Sequence, residues 1–211
     1  MTYEPFATAL LIVDPYNDFI SEGGKIWPRV KAVAERVGLL DHMRTLAATA
    51  RAAGIRIFFV PHRRWEAGDW VSWDHATPYQ LSGARLEAFA KGTWGGSFHD
   101  DFQPKPGDVV VHEHWGSSGF ANTDLDLQLK EYGVRRVILI GMIAHTCIEA
   151  TGRFAMELGY HVTLVTDATA DWGEQEMHCA HAINGPTYAH VITSTEVLVS
   201  QLRGTEAPGG A

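Results

Sequence analysis

Apolar residues follow two alternating rhythms along the chain. Short, near-continuous apolar runs occur at 7–13, 55–60, 108–111, 134–140, 161–165 and, more weakly, 190–192. Between and after them, apolar positions recur at helical spacing over 29–53, 79–90, 123–132, 146–158, 174–184 and 194–202. Strands that are apolar throughout are covered on both faces, and intervening helices supply that cover, so the pattern predicts an α/β fold with a parallel sheet. Gly54, Gly133 and Gly159 each stand just before a strand run, where a left-handed glycine ends a helix. Thr123, followed by Asp124 and Asp126, marks a helix start. No repeat or linker divides the chain, so one domain is expected over 1–203, with a small, polar, flexible tail at 204–211.

Two stretches lack any period, 61–78 and 91–107, and loops of that length in a compact domain usually serve function. In open parallel sheets the ligand crevice lies beyond the carboxyl ends of the strands. Three residues stand there. Asp14 directly follows the first run, a place where it could equally cap the next turn. His114 follows the third run in His112-Glu113-His114, and period 2 would turn His112 and His114 to one face. That spacing fits either a pair of metal ligands or one working histidine with a bystander. Cys147 follows the fourth run and falls in the first turn of the next helix. A helix start favours a thiolate and offers free N–H groups to an oxyanion. Cys179, inside a helical segment beside His178 and His181, has no such setting and is expected to be structural.

Composition narrows the classes. The 211 residues are 45% hydrophobic and 20% charged, as in an ordinary globular domain. A net charge of −8 disfavours nucleic-acid partners. Two cysteines without a signal-peptide pattern point to a reduced, cytoplasmic setting, and the apolar run at 7–13 is too short to span a membrane. A Gly-x-Gly-x-x-Gly fingerprint and a P-loop are both lacking, and the eleven histidines form no zinc signature, so no cofactor and no metal is expected.

With these residues stand Leu11-Ile12-Val13-Asp14 with Phe19, Gly92-Thr93-Trp94-Gly95, Ser118-Gly119-Phe120, Thr123-Asp124-Leu125, Gly141 through Cys147, Leu158-Gly159-Tyr160 and Val165-Thr166-Asp167-Ala168. In that order they resemble the isochorismatase-like superfamily of cysteine hydrolases over about 7–202. The resemblance implies a single-domain, three-layer α/β/α sandwich with a six-stranded, mainly parallel sheet and an Asp-Lys-Cys catalytic set. The aspartate falls on Asp14 and the cysteine on Cys147, but the lysine falls on His114. In this the chain looks like a subgroup that includes streptothricin hydrolase-like proteins, with Asp-His-Cys.

The resemblance further implies a cis peptide at Ile143–Ala144 and an oxyanion hole from the backbone N–H groups of Ala144 and Cys147. It implies that protonated His114 orients Asp14 and lowers the thiol pKa, as the lysine does elsewhere, with a second base as the alternative role for a neutral imidazole. The implied partners are a small amide-type substrate and further copies of the chain, in a homo-oligomer (dimer or tetramer). The metal-binding Asp-x-His element of nicotinamidase-like members is replaced by Pro61-His62-Arg63-Arg64-Trp65. The implied chemistry is cleavage of a C–N bond in an amide, ureide or lactam through a thioester. Two rivals are a vinyl-ether hydrolase of isochorismatase type and a metal-dependent hydrolase using His112 and His114. A third is a module without catalysis. For substrate contacts the expected residues are Phe19, Trp94 and Trp115, within a set of crevice-loop tryptophans that includes Trp65, Trp70 and Trp73. Trp65 and Trp70 are assigned to bracing loops or an interface, and Arg63 and Arg64 to solvent.

Overall fold

The computed structural model describes residues 3–204, so seven of the eight residues of the expected tail, 205–211, lie outside the described residues. After a short 3-10 turn come β1 (Thr8–Val13), α1 (Asn17–Ile20), α2 (Trp27–Val37), α3 (Leu39–Ala52) and β2 (Arg56–Val60). Then follow α4 (Pro78–Leu86), β3 (Val109–Val110), α5 (Leu125–Glu131) and β4 (Arg136–Met142). The chain closes with α6 (Glu149–Glu157), β5 (His161–Ala170), α7 (Glu174–His178), β6 (Val191–Thr193) and α8 (Thr195–Arg203). The six strands form one sheet in the order β3-β2-β1-β4-β5-β6, and every neighbouring pair is parallel.

Alternate residues feed the two faces, as a strand period of 2 requires. Leu10, Ile12, Ile57, Phe59, Ile138 and Ile140 enter a core beneath α2, α3 and α8. Ala9, Leu11, Val13, Phe58, Val60, Val137 and Leu139 enter a second core beneath α5 and α6. Across β1, β2 and β4, burial breaks only at the first residues of β2 and β4, Arg56 and Arg136. Among the described residues no helix is long and apolar enough to cross a membrane.

Three elements differ from the expectation, each for a local reason. The helix expected over 29–53 is two helices, because Gly38 takes φ 68° and ends α2 before α3 begins. The segment expected as one helix over 146–158 opens with a wide π-turn, Ala144–Ile148, ahead of α6. The helix expected from Thr123 begins at Leu125 with Asp124 at the cap position, and the Thr123 hydroxyl accepts from Leu125 N–H while donating to the Gly119 carbonyl.

The strand order sets the site. The chain builds outward from β1 through β2 to β3, then returns to β4 on the other side of β1. The ends of β1 and β4 therefore flank the point where the winding reverses, the usual crevice of such sheets. Gly141 lets the two strands close there: its φ is +115°, and a Cβ would collide with the Val13 carbonyl.

Candidate active site

Asp14 leaves the end of β1 with φ 53°, a left-handed conformation that aspartate tolerates better than most residues. Its N–H donates to the Val60 carbonyl, which pins the turn to the neighbouring strand. The side chain caps nothing: the cap position of α1 is Tyr16, and the Asp14 carboxylate points into the protein. Oδ1 lies 3.1 Å from His114 Nε2, and both side chains are fully buried. Oδ2 is buried without a hydrogen-bond partner among the described residues.

His114 reaches this point from the sheet edge because the chain beyond β3 stays beside the chain beyond β2. His114 N–H donates to the Pro61 carbonyl and its carbonyl accepts from Arg63 N–H. The strand period has ended by then, so His112 and His114 do not share a face. His112 is 80% exposed and lies 3.7 Å from Asp124. The expectation of a common face, and with it the two-histidine metal pair, is thereby corrected.

The proton inventory follows from the hydrogen bonds. His114 Nδ1 lies 2.9 Å from the Gly116 carbonyl, which can only accept, so Nδ1 carries a proton. The Nε2–Oδ1 contact then holds one further proton. Burial alone would lower the imidazole pKa, but the Asp14 charge and hydrogen bond, aided by Gly116, outweigh it and raise the value above that of a free histidine. His114 is thus an imidazolium paired with the Asp14 carboxylate. The half-buried His62 ring, 5.1 Å from that of His114, goes the other way: burial and the His114 charge lower its pKa.

Cys147 stands in the π-turn that follows β4, only 5% exposed. Donor atoms of Asp14, His114 and Cys147 all lie within 4.8 Å of one another, so the structure brings the three expected residues together. Burial, then the charge of Asp14 and its contact with the thiol, push the Cys147 pKa well above its usual value. A thiol lowered by His114 was expected, and this is a correction: the imidazolium is committed to Oδ1, while the thiol faces the anionic carboxylate. The contact is close enough to raise the thiol pKa and too open to satisfy Oδ2. Thr146 Oγ1, 3.8 Å from Sγ, donates toward the sulfur.

Around the turn, Asp171 accepts from His145 N–H at 2.8 Å and lies 2.6 Å from His145 Nδ1, which fixes the backbone leading to Cys147. The cis peptide is at Met142–Ile143, one bond earlier than the expected Ile143–Ala144. The Ile143 carbonyl already accepts from Thr146 and Ile148 N–H groups, so the Ile143–Ala144 peptide belongs to the helical turn.

A cavity of about 440 Å³ opens in front of Cys147. Phe19 and Trp115 line it as expected, and so do Trp65, Trp70, Phe89 and Trp172. Trp65 and Trp70 thus form wall, which corrects their assignment as braces alone. Trp94 is not part of the wall: it is 54% exposed and packs beside Gly23. Its loop is held from below by the buried Asp18, whose carboxylate accepts from Lys25 and Phe89 N–H groups and sits under Gly95. Arg63 and Arg64 do not face solvent freely. Arg63 grips Asp69 with two hydrogen bonds of 3.0 Å and stacks 4.6 Å over Trp115, while Arg64 bonds Glu113 at 2.5 Å.

Tyr79, at the start of α4, was not anticipated. It lines the cavity alongside Cys147 with 53% of its surface exposed, and the partial burial of its hydroxyl end, then the neighbouring Cys147, raises its pKa to about 12. It therefore stays a donor at neutral pH. Cys179, half-buried in the segment after α7, takes no part in the site.

This fold, with a thiol, a carboxylate and an imidazolium at the switch point of a parallel sheet, has the make-up of a cysteine hydrolase. The isochorismatase domain model matches residues 8–196. The chain belongs to the isochorismatase family. A ureidoacrylate amidohydrolase RutB of Pantoea ananatis (strain LMG 20103) is 30% identical over 203 residues, spanning 91% of this chain and 80% of the relative. A cysteine hydrolase from Pseudomonas syringae pv. phaseolicola 1448A superposes with a TM-score of 0.82 at 23% identity, covering 97% of this chain and 96% of that one, a likeness of fold. N-carbamoylsarcosine amidase from Thermoplasma acidophilum gives a TM-score of 0.67 at 26% identity, covering 90% of this chain and 97% of that one.

Proposed function

We propose that the protein hydrolyses an amide or ureide in a small molecule through a thioester on Cys147, with Asp14 as general base. The chain is an amidohydrolase acting on non-peptide C–N bonds, in keeping with its ureidoacrylate- and N-carbamoylsarcosine-cleaving relatives. The observation that carries the mechanism is the unsatisfied Oδ2 of Asp14 beside the Cys147 thiol, with Oδ1 held by His114. Asp14 takes the thiol proton as sulfur attacks the carbonyl carbon, so the thiolate forms only with substrate present. The backbone N–H groups of Ala144 and Cys147 receive the oxyanion. Asp14 returns the proton to the leaving nitrogen, the C–N bond breaks, and water activated by Asp14 cleaves the thioester. Ammonia release from a panel of small amides, ureides and lactams, with the intact thioester weighed by mass spectrometry, tests this reading. Turnover of a vinyl ether in preference to every C–N substrate would replace it with the isochorismatase-type alternative.

His114 acts as the cation paired with the buried Asp14 carboxylate. A group needed as imidazolium loses function as pH climbs through its raised pKa, so activity should fall on the alkaline side. His114→Ala strands the buried Asp14 charge, which costs about 3–5 kcal/mol when one partner of a buried pair is removed. His112→Ala, at an exposed site, should change stability by no more than about 0.5 kcal/mol and leave turnover near wild type. His114→Lys should recover part of the lost rate and move the alkaline limb upward, because a free lysine titrates near about 10.4. Equal and mild losses in the two alanine variants would remove His114 from the mechanism.

Activity should survive exhaustive treatment with EDTA. His112 and His114 do not converge, and the His114 nitrogen facing Asp14 shares a proton with it rather than offering a lone pair. Activity that disappears with chelator and returns with zinc would favour a metal held by Asp14, His114 and Cys147, whose donor atoms are close enough to share an ion. A homo-oligomer in the reduced cytoplasm, of the Asp-His-Cys subgroup, completes the proposal.

A further inference from the structure

One charged group in the cavity has no answering charge from the protein. The ionised side chains of the lining are Arg29, Arg63 and Asp69. Arg63 and Asp69 neutralise each other through their paired 3.0 Å hydrogen bonds. Arg29, the third residue of α2, has no carboxylate within ion-pair distance among the described residues. Its guanidinium carbon instead lies 4.5 Å from the centre of the Trp172 ring. The backbone of Trp172 is tied to the buried Asp171 carboxylate, to which its main-chain N–H donates at 2.7 Å.

Stacking occupies the flat face of a guanidinium and leaves its in-plane N–H fork free. A guanidinium without a protein partner can meet a planar carboxylate with two parallel charge-assisted hydrogen bonds. Arg29, Tyr79 and Cys147 line the same cavity. We propose that Arg29 is a carboxylate-binding residue and that the substrates are small acids carrying their amide or ureido group at the opposite end. This rests on the C–N hydrolase reading, which places the scissile carbonyl at Cys147. Arg29 then selects the substrate and fixes its direction in the cavity. The exposed guanidinium keeps its hydration until a ligand arrives, so an unpaired charge here destabilises the fold little.

The test uses the full chain with Cys147→Ala, which holds ligand without turning it over. Calorimetry compares N-carbamoylglycine and 3-ureidopropionate with their methyl esters, which lack the charge and carry one more methyl group. At least one acid should bind about tenfold or more tightly than its ester, the scale of a charge-assisted hydrogen bond. Adding Arg29→Gln should bring that ratio close to one, and Arg29→Lys should retain part of it. Failure of both acids to bind, equal binding of acid and ester, or a preference that survives Arg29→Gln overturns the proposal. Ammonia release from the same compounds by the unsubstituted protein is read separately. Its absence would count against the C–N hydrolase reading, whereas the acid-to-ester ratio reports on Arg29 alone.

Discussion

Cys147→Ala is expected to take turnover to background, a loss of about 10⁴-fold or more, as when a covalent nucleophile is removed. The fold should survive. Cys147 packs in the core beneath α5 and α6, and deleting one sulfur there leaves a gap worth about 1 kcal/mol, a typical single-substitution cost. No thioester should be found by mass spectrometry with any substrate. In the unsubstituted protein the same thiol should react only slowly with iodoacetamide near neutral pH and faster as the medium becomes alkaline. Burial and Asp14 keep it protonated at rest, and the thiolate is the reactive form. An alanine variant that keeps a substantial rate would end the cysteine mechanism, whatever the fate of Asp14.

How far the sequence foretells this structure depends on what holds each element. The central strands are legible because burial on both faces removes polar residues from them: all six residues of β1 are buried. β5 is harder, since it runs to Ala170 through Thr166 and Asp167, where the apolar run stops at Val165. Those polar residues have uses that a period cannot express. Asp167 accepts from the N–H and hydroxyl of Thr195 at the start of α8, and Thr166 donates to the Thr193 carbonyl. The break at Gly38 is similar: the apolar period continues across it, and only the positive φ of one glycine separates α2 from α3.

The site divides along the same line. Asp14, His114 and Cys147 are legible because each follows a strand, and strand ends converge by topology alone. The cavity wall is not, because tertiary contacts decide which loop residues turn inward. Trp65 and Trp70 reach the cavity in a loop braced by the Arg63–Asp69 pair, whereas Trp94 is turned outward where Gly95 crosses the Asp18 carboxylate. Tyr79 and Arg29 sit in first turns of helices whose docking no local pattern reveals. An aspartate four residues after Asp14 gave no hint that it would be buried as the anchor for Phe89 and Lys25 N–H groups.

Asp14→Asn separates proton transfer from everything else this residue does. The amide matches the carboxyl in shape, and asparagine accepts the left-handed φ of this position at least as readily as aspartate. The new amide can donate to His114 Nε2, whose partner has lost its charge. The imidazole then has no reason to stay protonated and keeps its Nδ1 hydrogen bond to Gly116. Substrate affinity should therefore change little. Turnover should fall by about 10²–10⁴-fold, the usual worth of a general base. The thiol should respond in the opposite sense: with the carboxylate charge gone, one of the causes that raises the Cys147 pKa is removed, so alkylation at a given pH should be faster than in wild type. A slower enzyme with a more reactive cysteine is the expected pair of readings, and unchanged substrate affinity and thermal unfolding separate it from misfolding, which would also expose the buried thiol. Measured side by side, an asparagine variant within a few-fold of wild-type turnover would show that the Cys147 proton leaves by another route.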